Sequence, residues 1–155
     1  MQSRTFYNEI LTEHNIHPIH KTKLIDPQRS LRGVNPSCGD DITLQLNVSE
    51  DGIIEDGAFY GDGCAISQAS ADMMLELVIG RSVEESLKLK DTFLKMIKDK
   101  ITDEELEMLE EAGSLKDISH MPSRVKCAVL GWRTLEQLLD SDKAGDNTDV
   151  STEEE

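Results

Sequence analysis

The chain has 155 residues, of which 37% are hydrophobic and 4% aromatic, and its formal net charge is −15. This length fits one domain, whose core must be built mainly from aliphatic side chains and methionine. The negative charge argues against a nucleic-acid-binding protein, which needs a basic face, and disfavours binding to anionic membranes. A partner that presents a basic patch is favoured instead.

Targeting signals are missing from the sequence pattern. No segment approaches the roughly 18 consecutive apolar residues of a membrane-spanning helix, and the N-terminal segment lacks the apolar region of a secretory signal. Three cysteines, an odd number, do not indicate an extracellular disulfide framework. We therefore expect a cytoplasmic protein in a reducing environment.

The predicted elements begin with a short helix over residues 3–13, capped by Ser3. Its apolar face consists of Phe6, Ile10 and Leu11. Pro18 ends any continuation of this helix, and residues 14–34 are predicted as loop.

Two strands follow the predicted loop. Apolar and polar residues alternate from Ile42 to Val48, which predicts a half-buried strand with one apolar face. Asp51-Gly52 is a strong hairpin-turn signal, and it predicts a second strand from about Ile53 to Tyr60.

The second half of the chain is predicted to be helical. A helix is predicted over residues 65–79. Two capping-box patterns follow, Ser82 with Glu85 and Thr102 with the glutamate three residues later, and each predicts the start of a further helix. The second of these helices is short and is predicted to end at Gly113. Ser123 is predicted to cap the last long helix. Strands followed by helices indicate an α+β fold in which a small antiparallel β-sheet packs against several helices.

The C-terminal segment differs from the rest in composition. Residues 140–155 contain seven acidic residues and one lysine, and their apolar residues are only Ala144 and Val150. Such a segment cannot bury enough apolar surface to order itself. We therefore predict a folded domain over residues 1–139 and a disordered acidic tail over residues 140–155.

The three cysteines are the main candidates for chemistry. Cys38 lies in a loop before the first strand, Cys64 lies where a strand leads into a helix, and Cys127 is placed in the first turn of the last helix. Unpaired N–H groups at a helix N-terminus lower the pKa of a thiol. Three thiolates and one carboxylate complete a tetrahedral zinc shell. Asp40 follows Cys38 by two residues, so in an extended segment both side chains point the same way.

Spacing alone leaves the metal site open. The cysteines are separated by 26 and 63 residues, without a C-x₂-C pair, so any site must be assembled by the fold. The structural alternative is that all three cysteines are small buried hydrophobic residues and that Asp40 only ends the strand. A carboxylate is a more replaceable zinc ligand than a thiolate, so the site is expected to be open to exchange at one corner. The histidines at positions 14, 17 and 20 are not predicted as ligands, because Pro18 breaks the helix that would align them.

Three motifs together resemble the IscU/NifU-N family of iron–sulfur cluster assembly proteins, and within it the SufU branch of Gram-positive bacteria. They are Asn-Pro-Ser-Cys-Gly-Asp around Cys38, Gly-Asp-Gly-Cys-Ala-Ile-Ser-Gln-Ala-Ser around Cys64, and Ser-Arg-Val-Lys-Cys-Ala around Cys127. The resemblance covers about residues 3 to 139. It implies an SufU/IscU-like domain with a zinc site formed by Cys38, Asp40, Cys64 and Cys127.

The resemblance also implies partners and a reaction. The partners are a PLP-dependent cysteine desulfurase of the SufS type and downstream cluster assembly proteins. Cys38 would accept persulfide sulfur by correspondence, in a reaction like thiol–disulfide exchange. Arg124 is the candidate that holds the developing negative charge, with a simple salt bridge as its alternative role.

Two other functions stay open on the sequence. The first is a scaffold on which a transient [2Fe–2S] cluster is built with the same cysteines. The IscU scaffold type carries a histidine immediately before its third cysteine, whereas Lys126 stands here, and a protonated lysine does not ligate iron readily. The second is a non-catalytic interaction module with structural zinc, which an Asp ligand fits poorly.

Overall fold

A computed structural model describes residues 8–140 and 150–151 of the chain. Its elements in chain order are α1 Glu9–Ile16, β1 Arg29–Asn35, β2 Asp40–Val48, β3 Ile54–Asp62, α2 Ala65–Val78, α3 Val83–Ile97, α4 Asp103–Met108, a 3-10 helix Glu110–His120, α5 Pro122–Leu139 and β4 Val150–Ser151. Three antiparallel strands followed mainly by helices confirm the predicted α+β class.

The sheet has the strand order β3-β2-β1-β4. Strand β2 lies between β1 and β3 and pairs antiparallel with both, and β4 pairs parallel with β1. Asn35 at the end of β1 is the pairing partner of Asp40 at the start of β2. The chain between these two residues is therefore confined to a tight turn.

The core lies between one face of the sheet and the helices. The alternation predicted for β2 is confirmed, because Ile42, Leu44 and Leu46 are fully buried. Helices α2 and α5 pack against each other and α5 packs against β1, which places both helices over the sheet. Burial of these apolar side chains is the main stabilising contribution to the fold.

The first predicted helix differs from the observed one. Helix α1 begins at Glu9 and ends at Ile16, and Asn8 caps it by accepting a hydrogen bond from the backbone N–H of Leu11. Ser3 and Phe6 lie outside the described residues. Residues 9–13 are helical as predicted, but the helix starts after Asn8, whose side chain satisfies an unpaired N–H, and it continues to Ile16.

The predicted loop over residues 14–34 was wrong at both ends, because residues 14–16 belong to α1 and residues 29–34 belong to β1. This strand carries charged residues and a glycine, so it lacks a clear apolar alternation. Gly33 nevertheless belongs there, since a Cβ at this position would lie 2.2 Å from Oγ1 of Thr134 on α5. The close approach of strand and helix is what the glycine permits.

The helix starts were predicted with mixed success. Both capping boxes, at Ser82 and at Thr102, are confirmed. The predicted cap at Ser123 was wrong, because α5 already begins at Pro122, a residue well suited to the first position of a helix. Cys127 consequently lies in the second turn of α5 and not in the first. Gly113 does not end α4 either, since it lies within the 3-10 helix.

Most of the predicted acidic tail lies outside the described residues, namely 141–149 and 152–155. Val150 and Ser151 form the short strand β4, paired with Gly33 and Val34. Within the described part of the chain, none of the helices is long and apolar enough to cross a membrane.

Candidate metal centre

Three separate segments converge where the turn between β1 and β2 meets the N-terminus of α2 and the second turn of α5. The turn over residues 36–39 holds Cys38, whose backbone N–H donates to the carbonyl of Asn35 at 3.2 Å. Gly39 has a positive φ of 74°, which closes the turn before β2. Cys38 is thereby placed at the tip of a hairpin, and Asp40 at the first position of the following strand.

Two thiols and one carboxylate form the centre. The Sγ atoms of Cys38 and Cys127 lie 3.3 Å apart, and the ligand atoms of Cys38, Asp40 and Cys127 all lie within 4.8 Å of one another. Cys38 is exposed, whereas Asp40 and Cys127 are 2% and 0% exposed. The centre is thus buried on two sides and open at Cys38.

Cys64 borders this group from the N-terminus of α2, where it occupies the N-cap position. Its backbone N–H donates to Oδ1 of Asp40 at 2.8 Å, and its thiol forms a hydrogen bond with the thiol of Cys127. Its Sγ is not one of the three mutually close ligand atoms. The structure therefore brings Cys38, Asp40 and Cys127 together and places Cys64 next to them.

The pKa values of the Cys64 and Cys127 thiols are shifted in opposite directions. The hydrogen bond from Cys127 lowers the pKa of Cys64 to about 6, burial opposes this shift, and a backbone hydrogen bond at Ser67 assists it. The same hydrogen bond, burial and a further contact with Cys38 raise the pKa of Cys127. Burial and hydrogen bonds to both neighbouring thiols, Cys38 at 3.3 Å and Cys64, therefore favour the protonated form of Cys127.

Asn35 was not among the residues predicted for the site. Its fully buried side chain donates from Nδ2 to Oδ2 of Asp40 at 3.0 Å and to Sγ of Cys127 at 3.5 Å. Sequence reasoning missed it because an amide is not a preferred ligand for a thiolate-rich site and because β1 was not predicted. Its place in the Asn-Pro-Ser-Cys-Gly-Asp motif was the available signal.

Close packing also holds the segment that carries Cys64. Ser67 donates from Oγ to the carbonyl of Cys64 at 3.1 Å, and Gln68 donates from Nε2 to the carbonyl of Gly63 at 2.7 Å. A Cβ at Gly63 would lie 2.4 Å from Oγ of Ser67 and 3.0 Å from Oδ1 of Asp40. Glycine at position 63 is therefore required for the approach of this segment to Asp40.

Arg124 lies in the first turn of α5, three residues before Cys127, and is half-buried. Residues three apart on a helix project from the same side. This position is compatible with the predicted role of Arg124 in sulfur transfer, and that role stays a prediction. Lys126 is also half-buried and directly precedes Cys127.

The histidines at positions 14, 17 and 20 contact carboxylates away from the cysteines. His14 bridges Asp72 at 2.6 Å and Glu111 at 2.5 Å, and His20 contacts Glu76 at 2.8 Å. Burial works to lower the pKa of His14, but hydrogen bonds to both of its carboxylates outweigh burial and raise it. His14 therefore links α1 to α2 and to the 3-10 helix.

The donor set suits a thiophilic divalent cation. Zinc takes thiolate and carboxylate ligands at about 2.0–2.3 Å in a tetrahedral arrangement. Ligand atoms within 4.8 Å of one another can reach one such ion with small side-chain movements. All three cysteines are free thiols, so none is withdrawn from this set by a disulfide.

Residues 6–141 match the family model described as NifU-like N terminal domain. The chain is 41% identical to the iron–sulfur cluster assembly scaffold protein IscU of Thermotoga maritima, over 90% of this chain and 96% of that protein. It is 35% identical to the zinc-dependent sulfurtransferase SufU of Bacillus subtilis, over 91% of this chain and 94% of that protein. The FiSufU crystal structure from Fervidobacterium islandicum AW-1 superposes with a TM-score of 0.82 and 34% identity, covering 89% of this chain and 99% of that one.

Proposed function

The chain belongs to the NifU-like N-terminal domain family, and on this premise we propose that it serves iron–sulfur cluster assembly as a zinc-dependent sulfur acceptor. Its partners are a PLP-dependent cysteine desulfurase of the SufS type, which supplies the sulfur, and downstream cluster assembly proteins, which receive it. The free thiols suit a reducing compartment, and we place the protein in the cytoplasm.

The observation that carries this proposal is the difference in exposure within the centre. Cys38 is exposed at the tip of the hairpin, while the other two members of the cluster, Asp40 and Cys127, are buried. A sulfur donor on another protein can therefore reach Cys38 without a change in the fold of this domain. This geometry favours Cys38 as the accepting residue.

We assign zinc to Cys38, Asp40, Cys64 and Cys127. Bound zinc would keep the thiols ionised and restrain their reactivity until a partner docks. The hydrogen bond between the thiols of Cys127 and Cys64, and the bond from the Cys64 backbone N–H to Asp40, support adding Cys64 as the fourth ligand. Cys64 would supply the fourth ligand of the tetrahedral set.

The transfer step exchanges one sulfur–sulfur bond for another. The Cys38 thiolate attacks the terminal sulfur of the persulfide on the desulfurase. A new sulfur–sulfur bond forms on Cys38, and the cysteine of the desulfurase leaves as a thiolate, so no external oxidant or reductant is consumed. Arg124, projecting from the same side of α5 as Cys127, is the cation proposed to offset the negative charge that develops.

A scaffold for a transient [2Fe–2S] cluster is the second candidate. The similarity to a protein named as a scaffold, the Thermotoga maritima relative, favours it. Lys126 argues against it, because an ammonium group next to Cys127 cannot act as a ligand. A module with purely structural zinc fits less well, because structural sites are closed and Cys38 is exposed.

The test combines metal content with desulfurase activity. The protein and its Cys38→Ala variant are purified from cytoplasm, analysed for zinc and colour, and mixed with a SufS-type desulfurase and cysteine. Ser37→Ala is the matched control in the same turn. One zinc per chain, no visible absorbance, and stimulation that is lost only with Cys38→Ala are the expected results.

Two results would contradict the proposal. A brown protein with a stable iron–sulfur spectrum and little stimulation would identify a scaffold. Undiminished stimulation by the Cys38→Ala variant, with zinc retained, would remove Cys38 as the acceptor.

A further inference from the structure

We propose that Asn35 is a positioning residue that fixes the Asp40 carboxylate, so that a ligand arriving at the metal replaces the Cys38 thiolate and not the carboxylate. This inference rests on the proposed function, since it concerns the same centre. It explains how the centre can release one particular thiolate. The argument begins at Asp40.

Both carboxylate oxygens of Asp40 are already engaged. Oδ1 accepts the backbone N–H of Cys64 at 2.8 Å, and Oδ2 accepts Nδ2 of Asn35 at 3.0 Å. Each oxygen retains a further lone pair, so these hydrogen bonds leave room for coordination to a metal. With only 2% of Asp40 exposed, a departing carboxylate would lose two hydrogen bonds without reaching water.

Asn35 is itself held in place. Its side chain is fully buried, and its backbone belongs to the β1–β2 ladder, in which it pairs with Asp40. Its Nδ2 also donates to Sγ of Cys127, so one amide group contacts two members of the cluster. Hydrogen bonds from outside the ligand set orient ligands and raise metal affinity by about 10–100-fold.

Cys38 receives no comparable restraint from Asn35. The backbone N–H of Cys38 donates to the carbonyl oxygen of Asn35, and its thiol, 3.3 Å from that of Cys127, lies at the exposed tip of the turn. By ligand chemistry alone, the carboxylate would be the more replaceable ligand. The hydrogen bonds and the burial of Asp40 reverse that order, and Cys38 becomes the corner at which exchange takes place.

The test uses cobalt in place of zinc and imidazole as the incoming ligand. Cobalt(II) gives visible ligand-field bands and near-ultraviolet thiolate charge-transfer bands, which count the bound thiolates. Imidazole is titrated into the cobalt-loaded wild type and the variants Asn35→Ala and Asn35→Asp, and iodoacetamide then labels released thiols. Asn35→Asp keeps the shape of the side chain but removes the amide donors.

Asn47→Ala is the matched control. Asn47 lies on β2 far from the centre, pairs with Asp56, and accepts a hydrogen bond from the backbone N–H of Gln28 at 2.8 Å. The fold of every variant is checked by fluorescence of Trp132, the single tryptophan, which is fully buried against Phe93.

In the wild type and in Asn47→Ala, imidazole should lower the charge-transfer absorbance by roughly one third, as three thiolates become two, and Cys38 should become the labelled cysteine. In both Asn35 variants the charge-transfer absorbance should persist, the ligand-field bands should shift, and Cys38 should stay protected. Cobalt affinity should fall by about 10–100-fold.

Release of Cys38 in the Asn35 variants to the same extent as in the wild type would overturn the inference. Complete loss of cobalt binding in both variants, with the fold intact and Asn47→Ala unaffected, would also overturn it, because Asn35 would then be needed for the whole site. The experiment contains no desulfurase. Failure of sulfur acceptance is therefore detected separately, by the stimulation assay.

Discussion

The backbone N–H of Cys64 donates a 2.8 Å hydrogen bond to Oδ1 of Asp40, across 24 residues of sequence. This bond joins the start of β2 to the N-terminus of α2, where an unpaired N–H favours a negatively charged partner. The carboxylate therefore has a structural role at the helix end as well as its proposed role as a ligand. The hydrogen bond thus holds Asp40 and Cys64 next to each other in the folded chain.

Substitution of Gly63 should damage the centre. The Cβ of Gly63→Ala would approach Oγ of Ser67 and Oδ1 of Asp40, so either the Ser67 hydrogen bond breaks or Asp40 shifts. We expect a loss of about 1–3 kcal/mol in the free energy of unfolding, measured with urea, and weaker zinc binding in chelator competition. Gly131→Ala, whose Cβ would lie 3.4 Å from Ala71, is the control that should leave zinc binding unchanged. Equal zinc affinity in Gly63→Ala and wild type would refute this prediction.

Cys64 should become reactive at a lower pH than an ordinary thiol, because its pKa is lowered to about 6. In zinc-free protein, the rate of Cys64 alkylation should rise with a midpoint at pH about 6, because the Cys127 thiol donates a hydrogen bond to the Cys64 thiolate. Removing that donor with Cys127→Ala should move the midpoint upward, towards the ordinary pKa of a thiol. Peptide mass spectrometry at each pH identifies the modified cysteine. An unchanged midpoint in the variant would show that Cys127 is not the cause.

His14 should stabilise the fold more strongly in mildly acidic solution. Its pKa is raised in the folded state by Glu111 and Asp72, so its contribution is complete below the ordinary value of 6.5 and is lost as the pH rises through the higher folded-state value. His14→Ala should therefore lower the free energy of unfolding more at pH 5.5 than at pH 9. Urea titrations at both values measure the difference.

The matched control for this pH dependence is His17→Ala. His17 lies one residue beyond the same helix and is 72% exposed in its side chain, with only a 3.4 Å contact to Glu13. Exposed ion pairs contribute little, so this variant should show almost no change between the two pH values. A similar pH dependence in both variants would mean that the buried bridge is not responsible.

The residue before the third cysteine should influence cluster retention. Lys126→His replaces an ammonium group with an imidazole that can ligate metal. After anaerobic reconstitution with iron and sulfide, we expect the visible iron–sulfur absorbance of this variant to persist longer than that of the wild type. Lys126→Gln removes the charge without adding a ligand and should behave like the wild type. If the iron–sulfur absorbance persisted equally long in both variants, the loss of the lysine charge, and not a new ligand, would be its cause.

Local signals were sufficient for several elements. The alternation from Ile42 to Val48 predicts β2 because period-two burial is a property of consecutive residues. The capping boxes at Ser82 and Thr102 were predicted correctly because both partners of each box lie within four residues. Strand β1 was missed because its charged residues and Gly33 interrupt any apolar alternation. The glycine is explained only by the close approach of α5 in the folded protein.

The sequence by itself determined the family resemblance, the α+β class and the candidate ligands, because these depend on residue types and short-range patterns. The tertiary structure decided which candidates meet: Cys38, Asp40 and Cys127 form one cluster and Cys64 borders it. It also introduced Asn35, whose fully buried amide contacts Asp40 and Cys127. Hydrogen bonds between segments far apart in the chain leave no periodic signal, and burial exists only after the segments have packed.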